Sequence, residues 1–167
     1  SGLAAELKTP SEQLPERIAQ LTERLRAAEK EIENLHRQQL LHQTAGIAAR
    51  AERVSEYMLV AEHLPDGIST GDLRTMANDI RGKLAGQPAV IALASATGNA
   101  AAYAVAVAEP AVRAGVKAGE LVKAFGQYVD GKGGGKPELA QGSGADAAGI
   151  GSGLEHLRQT LGGSGNV

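Results

Sequence analysis

From Leu14 onward the apolar residues fall at Leu14, Ile18, Leu21, Leu25, Ala28, Ile32 and Leu35, in alternating steps of four and three. That spacing is the a/d seam of a heptad repeat. Glu16, Arg17, Glu23, Arg24, Arg26, Glu29, Lys30, Glu31 and Glu33 lie between, so the rest of the helix surface is charged. Pro10 and Pro15 belong near the helix start, where a missing N–H costs little. The seam turns polar at Gln39 and His42, after about three heptads, or roughly 33 Å of helix. So narrow a stripe needs a partner, either a second copy or another part of the same protein. The plainer alternative is an amphipathic helix lying on its own domain.

Past Gly46 the pattern becomes α+β. Tyr57-Met58-Leu59-Val60-Ala61 reads as a strand, ended by the turn cluster Leu64-Pro65-Asp66-Gly67. Ser69 and Asp72 have capping-box spacing and open a helix with Leu73, Met76, Ala77, Ile80 and Leu84 on one face. Gly86 and Pro88 stop it. The apolar runs from Ala89 to Ala94 and from Ala101 to Ala108, joined through Thr97-Gly98-Asn99, read as a buried hairpin. Ala118, Leu121, Val122, Phe125 and Val129 repeat at helical spacing, and Leu154, Leu157 and Leu161 mark a last helix. Between these two helices runs a long Gly-rich segment, read as a loop. The fold class is therefore α+β. A long coiled-coil-like helical subdomain at 1–50 precedes a small mixed-sheet globular subdomain at 51–167, with helices on one face and the Gly-rich loop at 130–144.

Composition narrows the function. The 167 residues are 43% apolar and 22% charged, which suits a folded protein, and the net charge of −2 excludes a uniformly basic coat for nucleic acid. Aromatics make up 2%, too few for a stacking platform, and zero Cys excludes disulfides, thiolate zinc sites and a Cys nucleophile. It also fits a reducing compartment. No apolar run approaches the length of a bilayer span, and the N-terminus lacks the flank of a signal peptide. The chain opens on Ser1-Gly2 without a Met, as expected of a piece of something longer carrying an expression scar.

The least ordinary stretch is Asp130-Gly131-Lys132-Gly133-Gly134-Gly135-Lys136-Pro137-Glu138-Leu139-Ala140-Gln141-Gly142. Consecutive glycines lose much entropy on folding, so such a run has a backbone reason. Successive bare N–H groups form an anion nest, and Lys132 and Lys136 place cations at its ends. A flexible hinge is the other reading of the same residues. A P-loop is excluded, because Pro137 follows Gly135-Lys136 and Asp130 stands where its first Gly is required. The dinucleotide fingerprint fails because Lys136 occupies its last Gly position.

Leu73-Arg74-Thr75-Met76, then Lys117-Ala118-Gly119-Glu120-Leu121-Val122-Lys123, then the tract from Gly131 to Gly142 occur in an order that resembles the C-terminal domain of bacterial alanyl-tRNA synthetases. That domain is related to the module attached to DHH-type phosphoesterases. Asp130 replaces the first Gly of the family's loop, and Gly142-Ser143-Gly144 varies its exit. The resemblance is strong from about Leu64 to Leu161 and rests on pattern and order over the helical third. It implies an accessory tRNA-binding domain of an alanine–tRNA ligase, engaging the tRNA elbow to support charging and editing. The partners implied are alanine tRNA, the remaining domains of the synthetase and a possible second copy through the N-terminal helix. No membrane is implied, and the location is cytoplasmic. The residues expected to meet RNA are Arg113, Lys117, Lys123, Lys132, Gly133, Gly134, Gly135, Lys136 and Gln141.

No catalytic residue is expected. His36 and His42 lie off one helical face, His63 and His156 stand alone, and no Asp-His-His triplet occurs. No metal site or cofactor is expected in this chain, with ATP and zinc belonging to other domains of such an enzyme. Arg113, Lys117, Lys123, Lys132 and Lys136 face only Glu120, Asp130 and Glu138 along their stretch, so an RNA contact would be local and salt-sensitive. Recognition of a folded RNA by shape fits better than base readout. The competing reading is a structural module whose coiled coil dimerises the enzyme. A stray hydrolase module is disfavoured by Lys136-Pro137-Glu138-Leu139-Ala140-Gln141.

Overall fold

The heptad pattern does form one continuous helix, α1 (Leu14–Ala48), entered through a 3-10 turn at Ser11–Gln13. The structure, a computed structural model, describes residues 11–163. Pro10 and Ser1-Gly2 lie outside them, while Pro15 sits in the first turn as expected. The chain divides into two compact units between Gln39 and Leu40. In the first unit the seam is bare: Ile18, Leu21, Leu25, Ile32 and Leu35 are all exposed, Ile32 by 66%. The helix does not stop at Gly46 but runs on to Ala48. Helical spacing instead turns Leu40, Thr44 and Ile47 into the core of the second unit. Burying that face holds the last turns helical despite a glycine worth about 1 kcal/mol against them.

The second unit is built on six strands: β1 (Glu52–Val54), β2 (Tyr57–His63), β3 (Ala89–Thr97), β4 (Ala100–Val107), β5 (Gly131–Gly135) and β6 (Leu139–Gly144). Their order is β1-β2-β3-β4-β6-β5. Only β2 and β3 are parallel, and the remaining pairs are antiparallel. The mixed sheet of the α+β expectation is thus present. The parallel pair needs a crossover, supplied by α2 (Thr70–Lys83). Ser69 caps α2 by accepting a hydrogen bond from the Asp72 amide at 3.1 Å. The Gly98-Asn99 turn, with Gly98 at φ 59, joins β3 to β4 as a tight hairpin. β1 carries exposed, charged residues and was not visible as a strand in the sequence.

Helices cover both faces of the sheet, not one. Along β3, Ala89, Ile91 and Leu93 pack with Leu73, Met76, Ala77 and Ile80 of α2 and with Leu40 and Ile47 of α1. Val90, Ala92, Ala94 and Ala96 alternate to the other face. There they meet Leu121, Val122 and Phe125 of α4 (Ala118–Gly126), and Leu154, Leu157 and Leu161 of α5 (Ile150–Leu161). The short α3 (Glu109–Arg113) lies in this second layer through Ala111. The near-continuous apolar runs of β3 and β4 report burial on both faces. Val129 is buried in this layer too, but past the end of α4.

The Gly-rich segment is not a loop. It is the β5–β6 hairpin, with Lys132 opposite Ser143 and Gly134 opposite Gln141. Pro137 and Glu138 make its turn, closed by the Lys136 amide donating to Leu139 O at 3.0 Å. Glycine is a poor strand former unless something needs the space of its missing Cβ, and here several things do. A Cβ on Gly142 would lie 2.6 Å from the Tyr103 ring, and one on Gly131 would lie 2.5 Å from the Tyr103 hydroxyl. A Cβ on Gly133 would meet Gln141 O, Gly142 Cα and Val122 Cγ1. The tract is bare because Tyr103 and α4 press against it. Asp130 sits at φ 50, a left-handed conformation that explains the glycine preference at that position and that Asp tolerates.

Candidate functional site

Pairing with β6 consumes alternate backbone groups of β5, so the expected nest of free, successive N–H groups does not form. The hairpin instead makes one wall of a groove. Residues 132 and 134 alternate away from Gly133 to the α2 face of the sheet, and α2 supplies the opposite wall. Arg74, Arg81, Gly134, Gly135, Lys136, Glu138, Leu139, Ala140 and Gln141 line an open cavity of about 490 Å³. A second hollow of about 340 Å³ is lined by Gly71, Arg74, Thr75, Asn78, Leu139 and Gln141, three of them shared with the first.

Three cations and one carboxylate therefore face the larger cavity. Arg74 is exposed. Arg81 is half-buried and held: its guanidinium donates to Glu138 O at 2.6 Å and to Asn78 Oδ1. Gly134 has open space where a Cβ would stand, so bare backbone floors part of the groove. Gln141 Oε1 is buried and has no hydrogen-bond partner, a polar group whose desolvation is not repaid within the described residues. The arrangement offers donors and positive charge on two walls, the chemistry that receives phosphate oxygens.

Four of the expected RNA-meeting residues, Gly134, Gly135, Lys136 and Gln141, come together in this groove. Lys132 is exposed two residues before Gly134 on β5 and does not line the cavity. Gly133 turns toward Val122 on the other face. Arg113 ends α3, Lys117 caps α4 and Lys123 lies within α4, all exposed in the layer on the opposite face. Lys117 still approaches the hairpin turn, because the amide of Ala118 beside it donates to Pro137 O at 2.8 Å. The sequence reading missed Arg74 and Arg81 as site residues. The signal was there: Arg74, Asn78 and Arg81 recur at helical spacing beside the buried stripe of α2.

Among the described residues no group of three or more His, Asp or Glu could hold a metal, and no helix is long and apolar enough to cross a membrane. Burial pushes the Tyr103 phenol above its usual range, but Tyr103 packs on Phe125 in the core and lines neither of these two cavities.

Comparison with known proteins agrees with the resemblance read from the sequence. Residues 55–163 match the DHHA1 domain family. The chain is 51% identical over 161 residues to an alanine–tRNA ligase of Corynebacterium jeikeium, covering 96% of this chain and 18% of that protein. It is 47% identical to one of Nocardia farcinica, with 95% and 18% covered. The chain therefore spans about 18% of the length of the curated relatives it matches. Its fold matches the crystal structure of the C-Ala domain from Aquifex aeolicus alanyl-tRNA synthetase with a TM-score of 0.61. That match covers 68% of this chain and 99% of the other at 24% identity.

Proposed function

The chain belongs to the DHHA1 domain family, and from that membership we propose that it is the accessory tRNA-binding domain of an alanine–tRNA ligase. It engages the tRNA elbow and itself carries no reacting group. The observation that supports this reading is the groove in which Arg74 and Arg81 of α2 face Lys136 and the bare backbone at Gly134. Its charge is local, which reconciles an RNA partner with a net charge of −2. A few phosphate contacts give weak binding that falls steeply with salt, as suits a domain adding to a larger synthetase surface. The bent backbone of a folded RNA suits such a groove better than a row of stacked bases. The domain's partners in this reading are alanine tRNA and the remaining domains of the ligase, in the cytoplasm.

Titration of alanine tRNA at low salt tests it. The chain should bind it above a scrambled RNA, and Arg74→Ala with Lys136→Ala should lower both the affinity and the salt slope, the slope by roughly 1.5. Equal binding of the two RNAs, or a double variant that binds like the parent, refutes the reading.

The bare seam of α1 supports a second role beside the first, a coiled coil with a second copy. Ile18, Leu25, Ile32 and Leu35 lie on one stripe and are 47–66% exposed in the lone chain. Sedimentation should find a concentration-dependent dimer that Leu21→Asp with Ile32→Asp abolishes. A parent that stays monomeric at high concentration removes this role.

A further inference from the structure

Arg81 differs from the other cations of the groove in that its guanidinium is already tied to the fold through two hydrogen bonds. Its guanidinium reaches from α2 to the hairpin turn, donating to Glu138 O at 2.6 Å, and is oriented by Asn78 Oδ1 one turn earlier. The turn is also fixed in two other directions. The Val107 amide donates to Glu138 O at 3.0 Å and ties the turn to β4 within the sheet. The Ala118 amide donates to Pro137 O and ties it to α4 on the far face. Glu138 O thus uses both lone pairs, one toward β4 and one toward α2. Arg81 supplies the tie across the groove, between its two walls. Arg81 and Glu138 also line a separate cavity of about 310 Å³, with Gly82, Ala85, Val107, Ala108 and Glu109. The Arg81–Glu138 contact is therefore the partition between that cavity and the groove of about 490 Å³.

We infer that Arg81 is a positioning residue. It sets the separation of α2 from the hairpin and so presents Lys136 and Gly134, while Arg74, which carries no such tie, meets the ligand. This rests on the groove being the RNA site. A phosphate-contacting arginine and a strut have different signatures. Removing a phosphate contact lowers the salt slope of binding, because one fewer counterion is released. Removing a strut leaves the slope and loosens the wall.

The test compares the 167-residue chain with Arg74→Gln, Arg81→Gln and Arg81→Lys. Alanine tRNA is titrated over a salt series, and amide hydrogen exchange is followed without RNA. Arg74→Gln should lower the slope by about 0.7–0.9. Arg81→Gln should weaken binding about fivefold, the worth of one net hydrogen bond, at unchanged slope. It should also speed exchange at the Lys136 and Val107 amides. Arg81→Lys, which can still reach one carbonyl, should recover part of both effects while both variants keep the parent's melting temperature within a few degrees. A slope drop for Arg81→Gln equal to that of Arg74→Gln overturns the inference, as does unchanged exchange at the turn. If the parent shows no preference for tRNA, the RNA reading falls. Exchange at Lys136 and Val107 then still decides whether Arg81 holds the hairpin.

Discussion

Gly133 and Gly134 are neighbours in the same strand, and alanine should act on them with opposite sign. A Cβ on Gly133 would lie 2.6 Å from Gly142 Cα and 2.7 Å from Val122 Cγ1, with Gln141 O nearer still. Two of those three atoms are backbone of the paired strand, so no rotamer change relieves the clash. β5 must lift from β6 or α4 must move off the sheet. Overpacking of this kind costs about 1–3 kcal/mol, and the backbone partners place Gly133→Ala at the upper end. A Cβ on Gly134 meets nothing within 4 Å, and its φ is one that alanine adopts. Gly134→Ala therefore removes only unfolded-state freedom and should stabilise by about 0.4–1 kcal/mol. Urea unfolding followed by circular dichroism at a fixed pH reads both. The midpoints should fall on either side of the parent's with unchanged slope. Because Gly134 floors the groove, its alanine variant should also bind alanine tRNA less well despite being more stable. Equal shifts for the two variants, or a Gly133→Ala midpoint at or above the parent's, would show that the tract is bare for some reason other than packing.

Three further outcomes follow from the same hairpin and its surroundings. The Tyr103 hydroxyl is buried without a hydrogen-bond partner among the described residues, so Tyr103→Phe should be neutral or stabilising by up to about 1 kcal/mol at pH 7. Burial also raises the Tyr103 pKa above the unfolded value near 10, so its contribution to stability is complete below about pH 10 and is lost as pH climbs through the folded value. Urea midpoints between pH 8 and 11 should fall more steeply for the parent than for Tyr103→Phe, and parallel curves would contradict the assignment. Asp130 holds φ 50, and glycine there should raise stability by up to about 1 kcal/mol, since the left-handed strain outweighs the added chain entropy. A lower melting temperature for Asp130→Gly would mean that the Asp130 side chain stabilises the turn in a way its backbone angle does not reveal.

Where periodicity and burial agreed, the elements were legible. Leu73, Met76, Ala77 and Ile80 announced α2 and are fully buried in it, and the runs around Ile91 and Val105 announced the central strands. Those runs held a further message. A strand apolar at nearly every position is buried on both faces, which already called for a second helical layer. The pattern of α4 and α5 shows which residues those helices bury, but not on which side of the sheet they dock. That side is fixed by connections such as the Pro110-to-Ala118 segment, whose path carries no periodic signal. The end of α1 was hidden for a different reason. Leu40, Thr44 and Ile47 continue the helix on a new face, so a seam followed along Leu14 to Leu35 runs out while the helix does not.

The glycine tract shows why the site was only half legible. Strand prediction rests on side chains, and β5 has almost none; its pairing follows from register with β6 and from a tyrosine far away in sequence. Each glycine of Gly131, Gly133 and Gly142 answers to Tyr103 or Val122, not to a ligand. The residues around them point to a ligand instead. Lys136 and Gln141 share a cavity with Arg74 and Arg81, which lie about 60 positions away and were readable only as the polar flank of an amphipathic helix. A groove between a helix and a hairpin has no sequence motif of its own, because its two walls form under different local rules. Side-chain spacing governs one and the absence of side chains governs the other. The same bareness that lets Tyr103 and α4 close on one face of the hairpin leaves its backbone uncovered on the other, at Gly134. Bareness that packing demands on one face thereby leaves backbone open on the other, where the proposed phosphate contact would lie, and the opposite effects expected for Gly133→Ala and Gly134→Ala separate packing from that proposed contact.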